Sequence, residues 1–463
     1  MKKRIQYMMI VACLLGGNCF AAAVPAVIDW EVGAQWQAYG FMDTTQNDDT
    51  EDEVMSDNRI LWTNDLSWEE QDVFFKADVQ WRYETYKGMD TESRAQARFR
   101  DLYGDMKRQN FEIAVGQKTV TWGKLDDFVI LDRVSPQDYS HFILYDKEER
   151  KDPVLMAQYQ WFGWEGMTLE TVYMPEFRSS DLDFFGTNWA VFGHLKEAVS
   201  GSSDYTAAQK AIVSGISIQE DDRVTDHALG NSQVAFRLRG RRQEVDYGVY
   251  YMNLYHSLPV LKETNPTGNT VKQFLYDPTA ANLTALTGAG GNDLVLTEAH
   301  PRIQVVGLDW ETVWGAVGLR GETAFVVGMP YLKEDFSYTE ENLVSFGIGV
   351  DHTTDSQWYF DVQYLQDYVF NYDGLYGMEE APFLFSGTVA KDFCRGVVGL
   401  DLDWVWNASY GDWMLNPEAT YTWERSGVDV SVGMFVFQDG SSKTVFGRFD
   451  RNDTAYLKVG GKF

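Results

Sequence analysis

The sequence predicts an all-β protein, a closed antiparallel transmembrane β-barrel of about eighteen strands, with sixteen as the alternative count. Three observations support this prediction. Segments in which apolar and polar residues alternate recur along the chain, the connections between them are short and long in turn, and residues 454–463 form a strand with two distinct faces. A period of two is typical of β-strands, and strands with one apolar face suit a wall between lipid and water.

The last strand shows the pattern most clearly. Leu457 and Val459 lie on one face, Tyr456 and Lys458 lie on the other, and the strand ends in Phe463. An alternating segment of about ten residues with aromatic residues near its ends is typical of one strand of a membrane barrel. We interpret Tyr456 and Phe463 as the C-terminal barrel signal, which makes the barrel assembly machinery an expected partner.

The first residues have the features of an export signal. Basic residues at 2–4 precede an apolar run at 7–15 and small residues at 21–23, which are the three parts of a signal peptide. The apolar run is too short to cross a bilayer as a helix, which takes about 20 residues. We therefore predict a signal peptide over 1–23 and an outer-membrane β-barrel over 24–463. The expected location is the outer membrane of a Gram-negative bacterium, in contact with outer-membrane lipids and lipopolysaccharide.

Charge and cysteine content exclude several classes of site. The chain has 69 acidic and 39 basic residues and a formal net charge of −30, which disfavours nucleic acid as a partner because phosphate binding requires Lys and Arg. Two of the three cysteines lie within 1–23, so Cys394 is alone in the exported chain and forms neither an intramolecular disulfide nor a thiolate metal cluster. The acidic run at 43–53 lacks the Gly and the final Glu of a calcium-binding loop. No metal and no cofactor are predicted.

No motif indicates catalysis. The six histidines form no H-E-x-x-H pair, and the chain has no G-x-S-x-G sequence. The glycine-rich stretch at 288–291 resembles a phosphate-binding loop only weakly, because no strand–helix pattern flanks it. We predict that the protein is not an enzyme.

Four segments show the alternation expected of the wall strands, namely 72–84, 232–241, 395–406 and 427–437. Each has an apolar face, expected to contact lipid, and a face rich in charged or small polar residues, expected to line the interior. With about eighteen strands, wall side chains cannot fill the interior, so an aqueous lumen is expected.

The connections alternate in length, which gives the orientation of the strands. Short connections, expected to be periplasmic turns, lie near 69–71, 107–110, 163–165, 241–243, 311–314, 353–356, 391–395 and 424–427. Long connections, expected to be external, lie near 42–57, 85–93, 119–152, 175–230, 255–300, 328–340, 369–381, 407–412 and 439–452. Short periplasmic turns and longer external loops are typical of outer-membrane barrels.

The connection at 119–152 is the first candidate functional segment, because a loop of about 30 residues in a compact fold is usually functional or disordered. Its apolar and aromatic residues are interleaved with charges, which is unlike a disordered linker. We hypothesise that it folds into the lumen as a constriction, and the alternatives are an external cap packed on its own aromatic residues or an extra hairpin. The predicted constriction residues are Trp122, Asp126, Asp127, Asp132, Arg133 and Asp138.

The second candidate is a set of charged residues on the predicted inner faces. It consists of Lys76, Arg82, Arg94, Arg98, Arg100, Arg237, Arg239, Arg241, Arg320, Glu322, Asp401 and Asp403. Fixed charges set the ion selectivity of pores, and the guanidinium of Arg suits carboxylate or phosphate. Inner-face carboxylates are equally numerous, so ion pairs that make the wall rigid are the favoured interpretation, and anion selection is the alternative.

Several motifs carry a family resemblance. The stretch 116–139 contains Trp122-Gly123-Lys124-Leu125-Asp126 and Ser135-Pro136-Gln137-Asp138-Tyr139, and Glu148-Glu149-Arg150 follows. Matching stretches follow at 173–177, 237–241, 246–251, 320–324 and 391–393. These motifs resemble the W-G-K-x-D, N-P-Q-D-Y and R-E-E-R signature of an outer-membrane barrel family catalogued as domain of unknown function 1302. Ser135 replaces the usual Asn, and Glu176 replaces the usual Asp.

The resemblance implies a functional context. Members of this family often accompany inner-membrane permeases of the resistance-nodulation-division type and periplasmic lipid carriers. The expected function is therefore a passive outer-membrane conduit for lipid-like or hydrophobic small molecules that acts with such a permease. Two alternatives stay open: a general or semi-selective porin for small hydrophilic solutes, and a barrel that forms a sleeve around a partner protein such as a secreted cytochrome.

Overall fold

The computed structural model describes residues 31–43, 58–87, 91–128, 130–226, 229–265, 267–289, 294–438 and 444–462. The predicted signal peptide 1–23, most of the acidic run 43–53 and Phe463 lie outside the described residues. Residues 24–30 of the predicted barrel and parts of several predicted long connections, among them 42–57, 85–93 and 439–452, also lie outside the described residues.

Strands make up most of the described chain. In chain order they are β1 (Glu31–Asp43), β2 (Asn58–Glu70), β3 (Val73–Lys87), β4 (Thr91–Lys107), β5 (Phe111–Lys118), β6 (Val154–Trp164), β7 (Met167–Met174), β8 (Ser217–Gln219), β9 (Gln233–Arg242), β10 (Val245–Tyr255), β11 (Val260–Glu263), β12 (Val295–Ala299), β13 (Arg302–Trp314), β14 (Val317–Leu332), β15 (Tyr338–Thr353), β16 (Trp358–Val369), β17 (Phe383–Phe393), β18 (Val398–Asn407), β19 (Asp412–Trp423), β20 (Val428–Gln438) and β21 (Thr454–Lys462).

Eighteen of these strands form one sheet that closes on itself. Each wall strand pairs antiparallel with the next one along the chain, and β21 pairs antiparallel with β1, with Lys458 opposite Tyr39. The predicted closed antiparallel barrel is confirmed, with eighteen strands rather than sixteen. Closure leaves none of the eighteen described wall strands with an unpaired edge, which is the condition for strands to cross a bilayer.

The short connections are tight hairpin turns. Residues with positive φ occupy the turns between β2 and β3, β6 and β7, β9 and β10, and β13 and β14: Gln71 at 55°, Gly166 at 71°, Gln243 at 58° and Gly315 at 64°. Positive φ in a two-residue hairpin matches the right-handed twist of the flanking strands. The eight short connections and both described ends of the barrel wall lie on the same side, because the wall strands alternate in direction.

The outer face of the barrel is apolar. Trp62 of β2 and Trp81 of β3 lie opposite each other and are 41% and 54% exposed, and Val306 of β13 is 53% exposed. Exposed aliphatic and aromatic side chains in a continuous band around a closed barrel match a lipid environment. The ring and this band together make the protein an outer-membrane β-barrel of the size class that encloses a lumen.

Two long connections, 175–232 and 256–301, fold together into an external cap. The cap contains the three-stranded sheet of β8, β12 and β11, together with the helices α2 (Leu195–Gly201), α3 (Ala207–Ser214), α4 (Asp222–Thr225), α5 (Gly268–Tyr276) and α6 (Ala280–Gly288), while α1 (Lys147–Arg150) lies in the earlier connection. The cap has an apolar core of its own that includes Val271, Phe274 and Leu283. No helix among the described residues is long and apolar enough to span a membrane.

The inner face differs from the predicted polar lining. Towards the long connections, β6 to β16 present an apolar wall, formed by Met156, Val172, Met174, Ala235, Met252, Leu254, Ile303, Val305, Val326 and Leu343. On the other side, β1 and β18 to β21 present an aromatic wall, formed by Tyr39, Phe41, Val405, Met414, Phe435, Phe437 and Tyr456. The prediction of inner faces rich in charged or small polar residues is therefore wrong for these two walls, because their inner-face residues pack against other residues rather than face water.

Candidate functional site

Residues 119–152, which we call the inserted segment, lie inside the ring of strands. The segment contacts inner-face residues on strands from all sides of the barrel: Tyr39 of β1, Arg82 of β3, Arg98 and Arg100 of β4, Glu170 of β7, Glu322 of β14 and Lys458 of β21. A single segment can contact all of these strands only from within the lumen. Its position differs from that of an external cap packed on its own aromatic residues.

The carboxylate of Glu322 on β14 holds the tip of the inserted segment. Its Oε1 accepts hydrogen bonds from the backbone N–H groups of Lys124 and Leu125, the latter at 2.8 Å. Its Oε2 accepts from the N–H groups of Ile130 and Leu131, at 2.9 Å and 3.0 Å. One carboxylate thus ties two stretches of the tip together and fixes both to the wall. Hydrogen bonds to a charged group contribute about 1.5–3 kcal/mol each.

Trp122 anchors the base of the segment. It is 1% exposed, and its Nε1 donates to Oε1 of Glu170 on β7 at 3.2 Å. The guanidinium of Arg237 on β9 lies 5.2 Å from the centre of the Trp122 ring and donates to Oε2 of Glu170 at 2.9 Å from its Nε. Trp122 was predicted to line the constriction, and in the structure it packs between the segment and the wall.

The predicted carboxylates of the segment divide into two groups. Asp132 forms a buried ion pair with Lys151 and accepts a hydrogen bond from the N–H of Trp122 at 3.1 Å. Asp138 accepts from Nη1 of Arg82 at 2.8 Å. These two carboxylates therefore hold the segment together or to the wall instead of facing open lumen.

The residues nearest the open lumen are at the tip. Asp126 is solvent-accessible and pairs with Nη2 of Arg320 on β14 at 2.5 Å. Asp127 is also accessible to solvent. Arg133 turns back along the segment, and its Nε donates to the carbonyl of Ile130 at 2.8 Å. Of the six predicted constriction residues, Asp126 and Asp127 are those exposed to the lumen.

The pKa of Asp127 is raised to about 6, first because the group is surrounded by protein within the lumen and second because Asp403 lies nearby. Asp361 and Asp126 add to the rise, and the nearby hydroxyl of Ser386 opposes it. Asp127 is therefore neutral below pH 6 and charged above it. Between about pH 4 and pH 6 the folded protein retains a proton that the unfolded chain releases, so this group lowers stability as pH rises through that window.

We expect the cation preference of any residual ion current to increase between about pH 5 and pH 7, because ionised Asp127 adds a negative charge at a narrow point. Reversal potentials measured across a KCl gradient at both pH values test this. Asp127→Asn should make the step smaller while leaving the pH 5 value unchanged. An identical pH response in Asp127→Asn and the unmodified protein would contradict the assignment.

Most predicted lumen charges lie in ion pairs or short hydrogen bonds. Nζ of Lys76 lies 2.7 Å from Asp78 and 3.2 Å from Asp101, Nη1 of Arg98 lies 3.0 Å from Asp152, and Nη2 of Arg320 lies 2.5 Å from Asp361. Asp403 accepts from the hydroxyl of Thr388 at 2.6 Å, and Asp401 is the next inner-face residue of β18 towards the short turn. This pattern matches an ion-paired wall.

Three of the predicted arginines lie near the ends of their strands and are exposed. Arg94 lies near the start of β4. Arg239 donates to Oε1 of Gln160 at 3.3 Å, and Arg241, whose side chain is 67% exposed, lies 3.8 Å from Asp246 at the short-turn end.

Tyr456, predicted as part of the C-terminal signal, points inward, and its hydroxyl donates to Glu418 at 2.8 Å.

A β-bulge in β4 adds Asp101 to the lumen lining, which strict alternation along the strand did not predict. The register of β3 and β4 shifts between Ala77 and Val79, so Arg100 and Asp101 together oppose Asp78. Both Arg100 and Asp101 consequently line the lumen. Bulges re-aim side chains and are frequent near functional sites. The sequence signal was the pair of adjacent charged residues, which an alternating strand does not place on one face.

A polar cavity of about 300 Å³ lies between the inserted segment and the wall strands β1 to β4. Its lining consists of Gln35, Trp36, Gln37, Leu61, Thr63, Asp65, Asp78, Gln80, Arg100 and Asp101 from the wall, and Thr119, Thr121, Glu148, Glu149 and Lys151 from the segment. This is the side of the lumen on which the segment leaves space beside the wall.

The chain resembles several solved structures in overall fold. It has 10% identity to Pseudomonas aeruginosa OccK5 (OpdH), with 94% of this chain and 98% of that chain covered and a TM-score of 0.48. It has 9% identity to Acinetobacter baumannii OccAB4, with 94% and 98% covered and a TM-score of 0.49. For Salmonella typhi OmpF in complex with daunomycin the identity is 10%, the coverage 94% and 98%, and the TM-score 0.40.

No curated protein matches the chain. The model of one family, described as "Protein of unknown function (DUF1302)", matches residues 26–461. The match covers nearly the whole sequence, including all eighteen wall strands apart from the last described residue. This match over nearly the whole chain shows that the protein belongs to the DUF1302 family.

Proposed function

We propose that the protein is a passive outer-membrane conduit for small hydrophobic, lipid-like molecules, and that the inserted segment controls passage. The observation that carries this proposal is the apolar wall on the inner face of β6 to β16. A water-filled barrel has a polar interior. An inner face of Met, Val, Leu and Ile instead offers a low-polarity route once the segment moves aside.

The inserted segment supports the gating part of the proposal. Leu125, Ile130 and Leu131 pack on the apolar wall, and Leu144 and Tyr145 pack on the aromatic wall. The segment thus covers both apolar surfaces while it is held by Glu322, which keeps them away from water. Displacing it would open the lumen and expose the apolar wall along one side of it.

The partners follow from the proposed cargo. Hydrophobic molecules cross the aqueous periplasm only when bound, because exposure of apolar surface to water costs about 25 cal/mol per Å². We propose periplasmic lipid carriers and an inner-membrane permease as the partners that deliver or receive the cargo. Outer-membrane lipids and lipopolysaccharide surround the outer face, and the barrel assembly machinery inserts the chain.

Uptake of the fluorescent hydrophobic probe N-phenylnaphthylamine tests the proposed cargo class. Val305 of β13 and Val326 of β14 lie opposite each other on the inner face and are both 0% exposed. Replacing both by Thr adds hydroxyl groups with little change in shape. We expect probe uptake in cells that produce the double variant to fall severalfold relative to cells that produce the unmodified protein.

Val306→Thr is the matched control, because Val306 is on the neighbouring, outward face of the same strand. Uptake in this control should equal that of the unmodified protein. Equal uptake in all three proteins, with amounts in the outer membrane also equal, would count against hydrophobic cargo.

The polar cavity favours a second candidate, a semi-selective porin for small hydrophilic solutes. Its wall contains amides, hydroxyls and carboxylates, which suit hydrated solutes rather than lipids. Conductance in planar bilayers separates the two candidates, since a porin conducts ions without any trigger. A sleeve around a partner protein has less support, because the inserted segment occupies the space that a partner would need.

A further inference from the structure

We propose that the polar cavity binds small protonated amines, which are organic cations with one or two ammonium groups. This site goes beyond the proposed hydrophobic conduit and lies on the opposite side of the lumen from the apolar wall. The cavity volume of about 300 Å³ is at the lower end of the range for small-molecule sites, about 300–1,000 Å³.

The charge balance of the cavity is negative. Five carboxylates line it: Asp65, Asp78, Asp101, Glu148 and Glu149. Two cations, Arg100 and Lys151, share the lining, and two more lie beside it: Lys76, which pairs with Asp78 and Asp101, and Arg59, which lies 3.8 Å from Glu149. The excess of carboxylates favours a cationic ligand.

Both lining cations are already engaged by the inserted segment. Arg100 donates from Nη1 to the carbonyl of Glu149 and from Nη2 to the carbonyl of Glu148, each at 2.7 Å. Lys151 is buried, pairs with Asp132 and donates to Oγ1 of Thr121 at 2.7 Å. Their donor groups are therefore used to hold the segment, and neither cation neutralises the wall carboxylates on β2 and β3.

Two of the wall carboxylates face each other, and among the described residues only one of them, Asp78, forms an ion pair, through its Oδ2 with Lys76. Asp65 of β2 is directly opposite Asp78 of β3, an arrangement that destabilises a sheet. Asp78 is 7% exposed, and its Oδ1 has no hydrogen-bond partner among the described residues. Asp65 likewise has no hydrogen bond or ion pair within the part of the chain that the structure describes. A bound cation would relieve both the repulsion and the unmet hydrogen-bonding capacity.

The contact of Lys76 with Asp78 and Asp101 indicates which kind of cation the cavity accommodates. Nζ of Lys76 lies between Asp78, at 2.7 Å from Oδ2, and Asp101, at 3.2 Å from Oδ2. An ammonium group is thus already accommodated beside Asp78. A ligand ammonium between Oδ1 of Asp78 and the carboxylate of Asp65 would repeat this geometry, and the hydroxyl of Thr63 and the amide of Gln35, which line the same cavity, supply further polar contacts.

Isothermal titration of putrescine into the purified, detergent-solubilised protein tests the site. We expect saturable binding to the unmodified protein and roughly tenfold weaker binding to Asp65→Asn, because one charge-assisted contact of about 1.4 kcal/mol is lost. Asp429→Asn is the matched control, since Asp429 is an exposed residue near the short turn that joins β19 and β20. Its affinity for putrescine should match that of the unmodified protein.

The melting temperature separates a binding role from a structural one. Asp65→Asn removes a like-charge pair without breaking an ion pair, so its melting temperature in the absence of amine should equal or exceed that of the unmodified protein. Equal putrescine affinity in Asp65→Asn and the unmodified protein would overturn the proposal, as would tighter binding of glutamate or Mg²⁺ than of putrescine. None of these outcomes depends on transport of the hydrophobic probe.

Discussion

Replacing residues 126–146 by two glycines is expected to convert a largely closed barrel into an open, water-filled pore. Eighteen strands enclose a lumen that wall side chains cannot fill, and the inserted segment occupies that lumen. The ends of the deleted stretch lie close together, because Nζ of Lys147 donates to the carbonyl of Asp126. A short linker can therefore join Leu125 to Lys147 without distorting the wall.

The measurement is single-channel conductance in planar bilayers, and a severalfold increase is the expected result. The deletion also removes Ile130 and Leu131, which are 6% and 0% exposed, and exposes part of the apolar wall to water. This costs stability at about 25 cal/mol per Å², but the interstrand hydrogen bonds of the closed ring remain. Heat-dependent mobility on semi-native gels should show that the variant is still a folded barrel.

A deletion in the external cap provides the comparison. Residues 202–206 join α2 to α3 outside the barrel, so their removal should leave conductance unchanged. If deleting 126–146 also left conductance unchanged while the barrel remained folded, the inserted segment would not be the barrier to ions.

Glu322→Ala is expected to increase the frequency of high-conductance openings. This change removes the acceptor of four backbone hydrogen bonds from the tip of the inserted segment. At about 1.5–3 kcal/mol for each bond to a charged acceptor, the loss is large enough to shift the tip from the held to the released position. Long-lived high-conductance openings that are rare in the unmodified protein should become frequent.

Two further variants make this test specific. Glu322→Gln keeps one oxygen acceptor but directs an NH₂ group towards backbone N–H donors, so its open probability should lie between those of Glu322→Ala and the unmodified protein. Glu311→Ala removes an exposed ion pair of 2.7 Å with Nζ of Lys124 on the same segment, and a surface pair of this kind contributes about 0–1 kcal/mol. Openings as frequent in Glu311→Ala as in Glu322→Ala would show that Glu322 has no special role.

The wall could be predicted from sequence because its signal is local. Alternation within 72–84, for example, puts Gln80 and Arg82 on one face and Trp81 and Tyr83 on the other, as the structure has them. The alternation of polar and apolar residues is lost where β13 passes the inserted segment. Ile303 and Val305 point inward and Val306 points outward, and all three are apolar. When both faces of a strand are apolar, the sequence shows no period of two. The apolar wall could therefore not be predicted from the sequence pattern.

Partners of the inner-face charges could not be predicted. Glu322 was identified as a lumen charge, but its four donors lie more than 190 positions away in the chain. Arg82 is paired with Asp138 at a separation of 56 residues. Such contacts depend on the path of the inserted segment, which no periodicity encodes.

The sequence by itself determined that the chain forms a closed barrel of about eighteen strands with alternating short and long connections, because strand polarity and turn composition are properties of neighbouring residues. Only the tertiary structure decided what fills the barrel. Tertiary contacts place the inserted segment in the lumen and its tip on Glu322. They also bring the carboxylates of Asp65 and Asp78 opposite each other. These contacts form because closure of the ring encloses the inserted segment and brings residues that are distant in the chain within hydrogen-bonding distance.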